Sequence, residues 1–396
     1  MRLIWTEVTA LGAAREGVQE LETREGAALC YPALTGACAV GERVLVNTTA
    51  RDLALGTGGV DFVVARAEAA DGANALSSSP VSSCASVAGS RVALDESNTP
   101  ADGHIMKLRY TPLQRNVLAV EAPESPYHKI MERLDTLEGI PVVCCGLHSQ
   151  VPLVAAAIKQ VDASLRVGYV MTDQAALPLA FSKLVTQCRD LELLDATLTC
   201  GQAFGGELEA VNLYSGLLAA CHVQGCDVVI VSIGPGLAGT QTLFGHGGVA
   251  QGEAINATGA LGGSPIACLR MSFADERQRH QGISHHSLTA LGRIAAVPAT
   301  AIVPWLEGEQ QTYVEAQLES FESRADHYFA QLEQPSFSED ALRGLHVTTM
   351  GRGPAEDPAF FEAAFAAGAA AGGMARFVEP PSCVKSAPRL DLDLDE

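Results

Sequence analysis

Short, uninterrupted apolar runs separated by helix-length segments fill the chain from about residue 127 onwards, and they constrain its fold more than any other feature. Two of the clearest are 140–146, Ile-Pro-Val-Val-Cys-Cys-Gly, and 227–233, Asp-Val-Val-Ile-Val-Ser-Ile. A strand that is apolar on both faces has to be covered on both faces, which is typical of a parallel sheet enclosed by two layers of helices. The pattern therefore predicts a doubly wound α/β fold with a mostly parallel sheet.

The same alternation continues along the chain and indicates a Rossmann-like α/β domain over residues 127–378. We predict further strands at 167–172, 194–199, 265–271, 299–303 and 346–350. We predict helices between the strands, at 150–159, 175–189, 207–222 and 313–333. The segment 379–396 is acidic and is predicted to be a disordered tail.

The first 122 residues have a different texture, with short strands joined by glycine turns. Segments such as 3–9, 41–47 and 61–66 predict a small β-barrel-like domain over residues 1–122. Residues 67–103 are rich in Ala, Ser, Asp and Gly and are predicted to form a flexible insert. Strands at 105–110 and 117–120 follow the insert and are expected to close the barrel.

Charge and cysteine content narrow the classes of partner and the cellular location. With 26 basic and 46 acidic residues the net charge is −20, which opposes binding to nucleic acid or to an anionic membrane surface. The eleven cysteines have no disulfide-framework spacing, and several lie in apolar runs, so we interpret them as small buried hydrophobes. The chain has no run of eighteen uncharged apolar residues and meets a charge too early for a signal peptide, so we expect a cytoplasmic protein.

A glycine-rich loop follows the most apolar strand, where open α/β sheets bind their ligands. It reads Gly-Pro-Gly-Leu-Ala-Gly-Thr-Gln-Thr over residues 234–242. Its glycines allow close backbone approach, and its threonines would supply hydroxyls at a helix start. We interpret Gly234, Gly236, Gly239, Thr240 and Thr242 as an anion cradle, the alternative being a purely structural turn.

The densest polar segment follows the predicted strand 265–271. Its arginines are suited to binding an anion and its histidines to acid–base chemistry. The candidates are Asp275, Arg277, Arg279, His280, His285 and His286. Because the histidine spacing matches no zinc motif, we assign no metal ligand, although a metal site and a solvated loop with a Ser-capped helix both stay open.

Other strand-end loops supply weaker candidates. Ser149 follows the strand 140–146 as a nucleophile would, but it lacks the flanking glycines of a nucleophile elbow, so a helix N-cap is favoured. The remaining ligand-binding candidates lie after other strands: Asp173, Gly205, Gly206, Glu207 and Arg352.

Taken together, four motifs resemble an uncharacterised bacterial family of conserved hypothetical proteins with a domain of unknown function. The motifs are Gly201–Asn212, Gly234–Thr240, Arg279-His280 with Ser284-His285-His286, and Met350-Gly351-Arg352. The resemblance covers nearly the whole chain and is weakest in the 67–103 insert and the acidic tail. It implies a bacterial, cytoplasmic origin and carries no activity.

These observations favour an enzyme, of hydrolase or transferase type, that acts on a small phosphate- or carboxylate-bearing molecule. A non-catalytic small-ligand sensor or binding module is one alternative, and a metal-dependent hydrolase using His280, His285 and His286 is another. No cofactor fingerprint is complete, so the sequence indicates no particular cofactor. The Ala/Gly-rich helix around 360–367 could pack inside one subunit or between two, which leaves a homo-oligomer open.

Overall fold

The computed structural model describes residues 2–48, 51, 59–67, 103–108, 115–332 and 336–378. These residues form two compact units. The smaller contains the described residues between 2 and 67 together with Arg115, and the larger contains 103–108 and the described residues from 116 onwards. The predicted insert falls outside the described residues except at its two ends, and the acidic tail falls outside them entirely.

The smaller unit is a closed five-stranded barrel in the order β1-β2-β3-β5-β4, as the sequence predicts. Its strands are β1 (Leu3–Arg15), β2 (Val18–Thr23), β3 (Gly26–Cys30), β4 (Arg43–Asn47) and β5 (Asp61–Arg66). Alternate side chains such as Val8, Leu21, Val44 and Val46 point inwards and form its core. A short helix, Pro32–Thr35, connects β3 to the segment before β4.

The strands after the insert do not close this barrel, so that expectation is wrong. β6 (Ile105–Lys107) and β7 (Arg115–Val117) pair only with each other among the described strands. Lys107 attaches β6 to the larger unit, because its buried ammonium donates to the Glu209 carboxylate (2.7 Å) and to the Thr199 carbonyl (3.2 Å). A buried lysine needs such partners.

The larger unit is built on an eight-stranded, all-parallel sheet in the order β11-β10-β9-β12-β8-β13-β16-β17. The strands are β8 (Pro141–Cys145), β9 (Val167–Thr172), β10 (Ala196–Thr199), β11 (Leu208–Glu209), β12 (Val228–Ile233), β13 (Ser264–Cys268), β16 (Thr300–Pro304) and β17 (Tyr328–Leu332). A small antiparallel pair, β14 (Met271–Ser272) and β15 (Gly282–Ile283), follows β13.

Helices cover both faces of the sheet, which confirms the doubly wound prediction. The α-helices are His128–Met131, Val151–Val161, Lys183–Asp190, Leu213–His222, Ala250–Ala260, His285–Thr289, Gly308–Glu319 and Pro358–Ala375. Neighbouring residues of β8 face opposite cores: Val143 packs with Val151–Val161 and Pro358–Ala375, and Val142 packs with Leu213–His222 and Ala250–Ala260. Shorter turns of 3-10 or π helix lie at His148–Gln150, Leu179–Phe181, Gly247–Val249, Gln278–His280, Ala290–Ile294 and Glu339–Leu342.

Two predicted elements near the end of the larger unit are wrong. The segment 313–333 is not one helix, because the helix ends at Glu319 and Tyr328–Leu332 forms the edge strand β17. The segment 346–350 is not a strand, because Thr349 bridges back to Arg352 across a turn in which Met350 and Gly351 have positive φ. Two other helices start later than predicted: Ser182 caps Lys183–Asp190, and Asn212 caps Leu213–His222.

The helix Pro358–Ala375 packs inside the chain. Its aromatic residues Phe360, Phe361 and Phe365 are buried, and Gly368 lies so close to Val151–Val161 that a Cβ there would be 2.3 Å from the Val154 carbonyl oxygen. Every described cysteine is free and buried, as predicted. Within the part of the chain that the structure describes, no helix combines the length and the apolar character needed to span a bilayer.

The topology places a crevice at the carboxyl edge of the sheet. β8 and β12 are neighbours, yet the helices that follow them, Val151–Val161 and Ala250–Ala260, cover opposite faces. Loops that diverge in this way leave a gap between the strand ends, which is where doubly wound sheets bind ligands. The loop after β12 and the segment after β13 therefore meet at this edge.

Candidate functional site

Four histidines converge beyond the carboxyl ends of β12 and β13, and we call them the histidine cluster: His246, His280, His285 and His286. The ring centroids of His246 and His286 are 4.0 Å apart, those of His285 and His286 are 4.3 Å apart, and those of His280 and His285 are 4.9 Å apart. The three histidines predicted from the polar segment therefore lie together. The fourth, His246, lies just after the glycine-rich loop, before the helix Ala250–Ala260.

Local structure explains how the segment 270–286 brings its histidines together. The β14–β15 pair folds the segment back on itself, and the 3-10 turn Gln278–His280 ends at His280. Ser284 then caps the helix His285–Thr289 by accepting from the His286 amide, and its hydroxyl also lies 2.7 Å from His280 Nδ1. Ser284 thus links His280 to the helix that carries His285 and His286.

Gly248 makes room for the contact between His246 and the rest of the cluster. A Cβ at this position would lie 3.0 Å from His246 Nδ1 and 3.3 Å from the His286 Cβ. The rings of His246 and His286 stack nearly parallel, at 14°. A side chain at residue 248 would push these rings apart, so the glycine is a packing requirement of the cluster.

Several imidazole nitrogens in the cluster have no hydrogen-bond partner among the described residues. They are both ring nitrogens of His246, which is 5% exposed, and Nε2 of His285. Burial lowers the pKa of His246, and the positive charge of Arg270 lowers it further. A buried polar atom without a partner costs free energy, so it marks a place where a ligand would be stabilised.

The imidazoles are neutral at physiological pH. Burial, assisted by the charge of Arg270, lowers the pKa of His280 to about 3, and burial together with His246 and Arg270 lowers the pKa of His286 to about 2. Burial, His246 and Arg279 lower the pKa of His285 to about 4. Each ring therefore offers one N–H donor and one lone pair.

Arg270 is a buried cation beside these neutral rings. Its guanidinium is 3.0 Å from His286 Nδ1, and because arginine only donates, Nδ1 accepts and the His286 proton is on Nε2. Burial lowers the pKa of Arg270 to about 10, so the side chain stays charged. Its nearest carboxylate oxygen, Asp275 Oδ2, is 3.8 Å away, which is an ion pair without a hydrogen bond.

Asp275 is shared among three arginines. Arg277 holds it in a bidentate pair, at 2.9 and 2.7 Å, and Arg352 lies 3.7 Å from Oδ2. The hydrogen bonds from Arg277 keep the pKa of Asp275 well below its usual range. Arg352 also binds Asp357 at 3.0 Å, so the predicted residues Asp275, Arg277 and Arg352 form one network at the cluster.

The charge of this network is unbalanced in favour of cations. Arg270, Arg277 and Arg352 face the carboxylates of Asp275 and Asp357. Exposed Arg279 adds a fourth guanidinium, with which no described carboxylate pairs and which acts electrostatically on His285. An excess of guanidinium groups around neutral imidazoles favours an anion at this position.

Three of the histidines also come close to a metal-binding arrangement. One nitrogen each from His246, His285 and His286 lies within 4.8 Å of the others. Tetrahedral zinc would require nitrogens about 3.3 Å apart, given bonds of about 2.0 Å. A metal also has to lie in the plane of each ring that ligates it, which the parallel stack of His246 on His286 does not allow without rotation.

The hydrogen bonds around the rings fit an anion better than a metal. A metal-ligating histidine usually donates its other nitrogen to a carboxylate or carbonyl. His286 Nδ1 instead receives a hydrogen bond from Arg270. With its proton on Nε2, His286 has no free lone pair for a cation, whereas Nε2–H can donate to an anion.

A cavity of about 320 Å³ adjoins the cluster at His285. Its wall is formed by Leu243, His285, Leu288, Thr289, Arg293, Gln317, Ser320, Phe321 and Glu322. Because His285 is the member of the cluster in this wall, it is the imidazole that a bound molecule would meet first.

The glycine-rich loop does not have the geometry expected of an anion cradle. The Thr240 and Thr242 hydroxyls are 3.0 Å apart and bond to Gly245 within the loop, and the helix begins only at Ala250. Gly234 is required by packing, because a Cβ there would lie 2.5 Å from the Ala176 carbonyl oxygen. Gly239 pairs with His246. Gly236, with φ of 103°, has open space around it.

Ser149 is half-buried in the turn His148–Gln150. No hydrogen bond among the described residues supports its interpretation as a nucleophile or as a helix N-cap. The helix that follows is preceded by Gln150, without a side-chain cap. His148, the residue before Ser149, is buried. Its Nε2 lies 2.6 Å from the Ser182 hydroxyl, and its Nδ1 lies 3.3 Å from the Ile233 carbonyl oxygen. Burial lowers the pKa of His148 to about 4, and we assign it a structural role.

The remaining predicted residues lie at the ends of β9 and β10, and no described hydrogen bond or ion pair joins them to the histidine cluster. Glu207 accepts from the Thr197 amide and pairs with Arg189, and Gly206 packs against the β10 backbone. Gly205 donates to Glu209. Asp173 accepts from the Gln202 amide and lines a separate cavity of about 270 Å³.

Sequence reasoning missed His246, Arg270, Asp357 and Arg293 as site residues. His246 stands between glycines at the end of the predicted loop, and Arg270 interrupts the apolar run Ile-Ala-Cys-Leu-Arg-Met. A histidine between glycines and an arginine inside an apolar run are both unusual, so the sequence alone could have indicated these two residues. Asp357 and Arg293 carry no comparable signal, because only the fold brings them near the cluster and its cavity.

Comparison with known proteins gives a family and no activity. The model of a family described as "Protein of unknown function (DUF3866)" matches residues 27–368. No curated protein and no solved structure matches the chain.

Proposed function

The chain belongs to the DUF3866 family of proteins of unknown function, and we propose that its histidine cluster is the active site of an enzyme that binds a small anionic substrate. The reaction is of hydrolase or transferase type, and the substrate carries a phosphate or carboxylate group. The cluster lies at the strand ends where doubly wound sheets bind ligands.

The observation that carries this proposal is the hydrogen bond from buried Arg270 to neutral His286. A buried guanidinium normally lies against a carboxylate, because leaving a charge uncompensated in the interior costs several kcal/mol, of the order of 3–5. Here the nearest carboxylate is already held by Arg277. A bound anion would supply the hydrogen-bonded negative charge that Asp275, at 3.8 Å, does not supply.

The roles follow from position. Arg270 and Arg279 balance the charge of the anion, and His286 Nε2–H donates to it. His285 transfers a proton, because its Nε2 has no described partner and its ring lies in the cavity wall. A bound anion would raise the pKa of His285 from about 4 towards the range in which histidine exchanges protons at neutral pH.

A metal-dependent hydrolase is the second candidate, supported by the three histidine nitrogens within 4.8 Å. The metal-dependent hydrolase predicted from the sequence used His280, whereas the grouping in the structure contains His246 in its place. The ring stacking and the Arg270 hydrogen bond favour the anion site over it. The free, buried cysteines support the proposed cytoplasmic location, where thiols stay reduced; a bacterial origin rests on the sequence resemblance.

Thermal shift with sulfate, inorganic phosphate and acetate tests the site. We expect at least one of these anions to raise the melting temperature of the native protein, because a ligand that binds only the folded state stabilises it. His285→Gln and Arg279→Ser should reduce the rise. His104→Gln serves as a control, since His104 is exposed and pairs with Glu124 away from the cluster.

The outcomes separate the candidates. No shift with any anion would contradict the proposed site. A shift that survives in both variants would place the anion elsewhere. If the protein binds an anion but hydrolyses neither phosphate esters nor carboxylate esters, the result would favour the sensor alternative over the enzyme.

A further inference from the structure

The cavity beside His285 has apolar walls that anion binding does not explain. Leu243, Leu288 and Phe321 contribute carbon surface to a space of about 320 Å³. A site for a bare inorganic anion needs only polar donors around a small volume. This cavity can hold a group of several carbon atoms as well.

The loop that carries Leu243 is held in place by its own hydrogen bonds. Gly239 bridges to His246, and the Thr240 amide donates to the Gly245 carbonyl at 2.7 Å. The tip residues Leu243 and Phe244 are 53% and 55% exposed. The loop therefore leaves about half of each side chain in solvent while it holds Leu243 at the cavity.

The side-chain amide of Gln317, which lies in the helix wall, already has hydrogen-bond partners. The Gln317 amide accepts from the Ile283 amide at 2.8 Å and donates to the Ile283 carbonyl at 3.1 Å and the Gln281 carbonyl at 3.2 Å. At the rim, Arg293 pairs with Glu322 at 3.5 Å. His285 is the member of the histidine cluster in this wall, and its Nε2 is buried without a hydrogen-bond partner among the described residues.

We propose that the substrate is an amphiphilic anion, whose apolar or aromatic group occupies the cavity between Leu243, Leu288 and Phe321 while its anionic group reaches His285. This inference rests on the proposed function and specifies its substrate class. The volume is at the lower end of the range for small-molecule sites, about 300–1,000 Å³, which accommodates a ring with one anionic group and excludes a dinucleotide.

Calorimetric titration with methyl phosphate and phenyl phosphate tests the inference, because the two probes share an anionic group and differ in apolar size. We expect the native protein to bind phenyl phosphate at least tenfold more tightly. Leu243→Ser should remove most of this difference and leave the affinity for methyl phosphate unchanged. Phe244→Ser is the matched control, since Phe244 is equally exposed on the same loop but is not in the cavity wall.

The failures are distinguishable. Equal affinities for the two probes in the native protein would overturn the amphiphilic substrate and leave the anion site standing. A preference for phenyl phosphate that survives in both Leu243→Ser and Leu288→Ala would also overturn it, by placing the ring elsewhere. If neither probe binds, the proposed function fails with it.

Discussion

The guanidinium of Arg270 donates to His286 Nδ1 over 3.0 Å, and both side chains are buried. This contact fixes the tautomer of His286, with Nε2 protonated. It also places a cation where a metal site would have a hydrogen-bond acceptor. The charge of Arg270 also helps to lower the pKa of each of the four histidines in the cluster.

Replacing Arg270 by Met should abolish the stabilisation of the protein by sulfate. The variant keeps an unbranched side chain of similar length but loses the buried charge that an anion would compensate. It should also raise the pKa of His286, because Arg270 is among the causes that lower it. Thermal shift with sulfate and NMR titration of the imidazole measure both effects. Arg324→Met, at an exposed arginine outside the cluster, should change neither.

The protein should lose stability as the pH falls from 7 towards 4. The pKa values of His280, His285 and His286 in the folded state are about 3, 4 and 2, below the ordinary value of 6.5. Below pH 6.5 the unfolded chain therefore binds more protons than the folded one, so the free energy of unfolding rises with pH in this window. Each group contributes at most about 1.4 kcal/mol per pH unit. Urea denaturation at several pH values would show this slope, and His286→Gln should flatten it.

Sulfate should bind more tightly as the pH falls from 8 to 5.5. A bound anion favours the protonated form of the neighbouring imidazoles, so binding takes up protons and strengthens at lower pH. Sulfate is the suitable probe because it keeps its charge over this range. Calorimetry in buffers of different ionisation enthalpy would measure the proton uptake. An affinity that does not change with pH would mean that no cluster histidine takes up a proton when the anion binds, which would contradict the role proposed for His285.

Protein purified without a chelator should contain far less than one zinc, manganese, iron or nickel ion per chain. The stacked rings of His246 and His286 and the Arg270 hydrogen bond both oppose a metal there. Elemental analysis decides the point. One ion per chain, lost together in His246→Gln and His285→Gln, would instead support the metal-dependent hydrolase.

Gly368→Ala should destabilise the larger unit, whereas Gly373→Ala should not. A Cβ at 368 would lie 2.3 Å from the Val154 carbonyl oxygen, and a Cβ at 373 meets nothing within 4 Å. Both residues are in the helix Pro358–Ala375, so the gain of about 1 kcal/mol in helix propensity is common to both. Overpacking costs about 1–3 kcal/mol and acts only at 368. Comparison of their denaturation midpoints isolates the close contact.

The sequence was sufficient for the central strands and not for the edge. β8 and β12 are continuous apolar runs, because both of their faces are buried. Tyr328–Leu332 is an edge strand with exposed and half-buried residues, so its pattern does not differ from that of the helix before it. The β6–β7 pair could not be assigned to the correct unit, because short strands carry no information about which partner they pair with.

The candidate site was predictable where its residues are contiguous. Asp275 to His286 form one polar segment, and the fold keeps that segment together. Arg352 joins it through Asp275 from a turn that follows no strand, so the predicted contact is present although the predicted strand before it is not. The hydroxyls of Thr240 and Thr242 were misleading, because residue type does not reveal that they bond within their own loop.

The helix Pro358–Ala375 has a consequence for how the protein is made. It covers the face of the central strands that also carries Val151–Val161, although those strands are synthesised much earlier. While the chain is still on the ribosome, that apolar face lacks one of the helices that cover it, whereas the barrel strands are already complete. The larger unit therefore reaches its native core only after translation has passed residue 375, and nascent or truncated chains that stop before it should require chaperone protection.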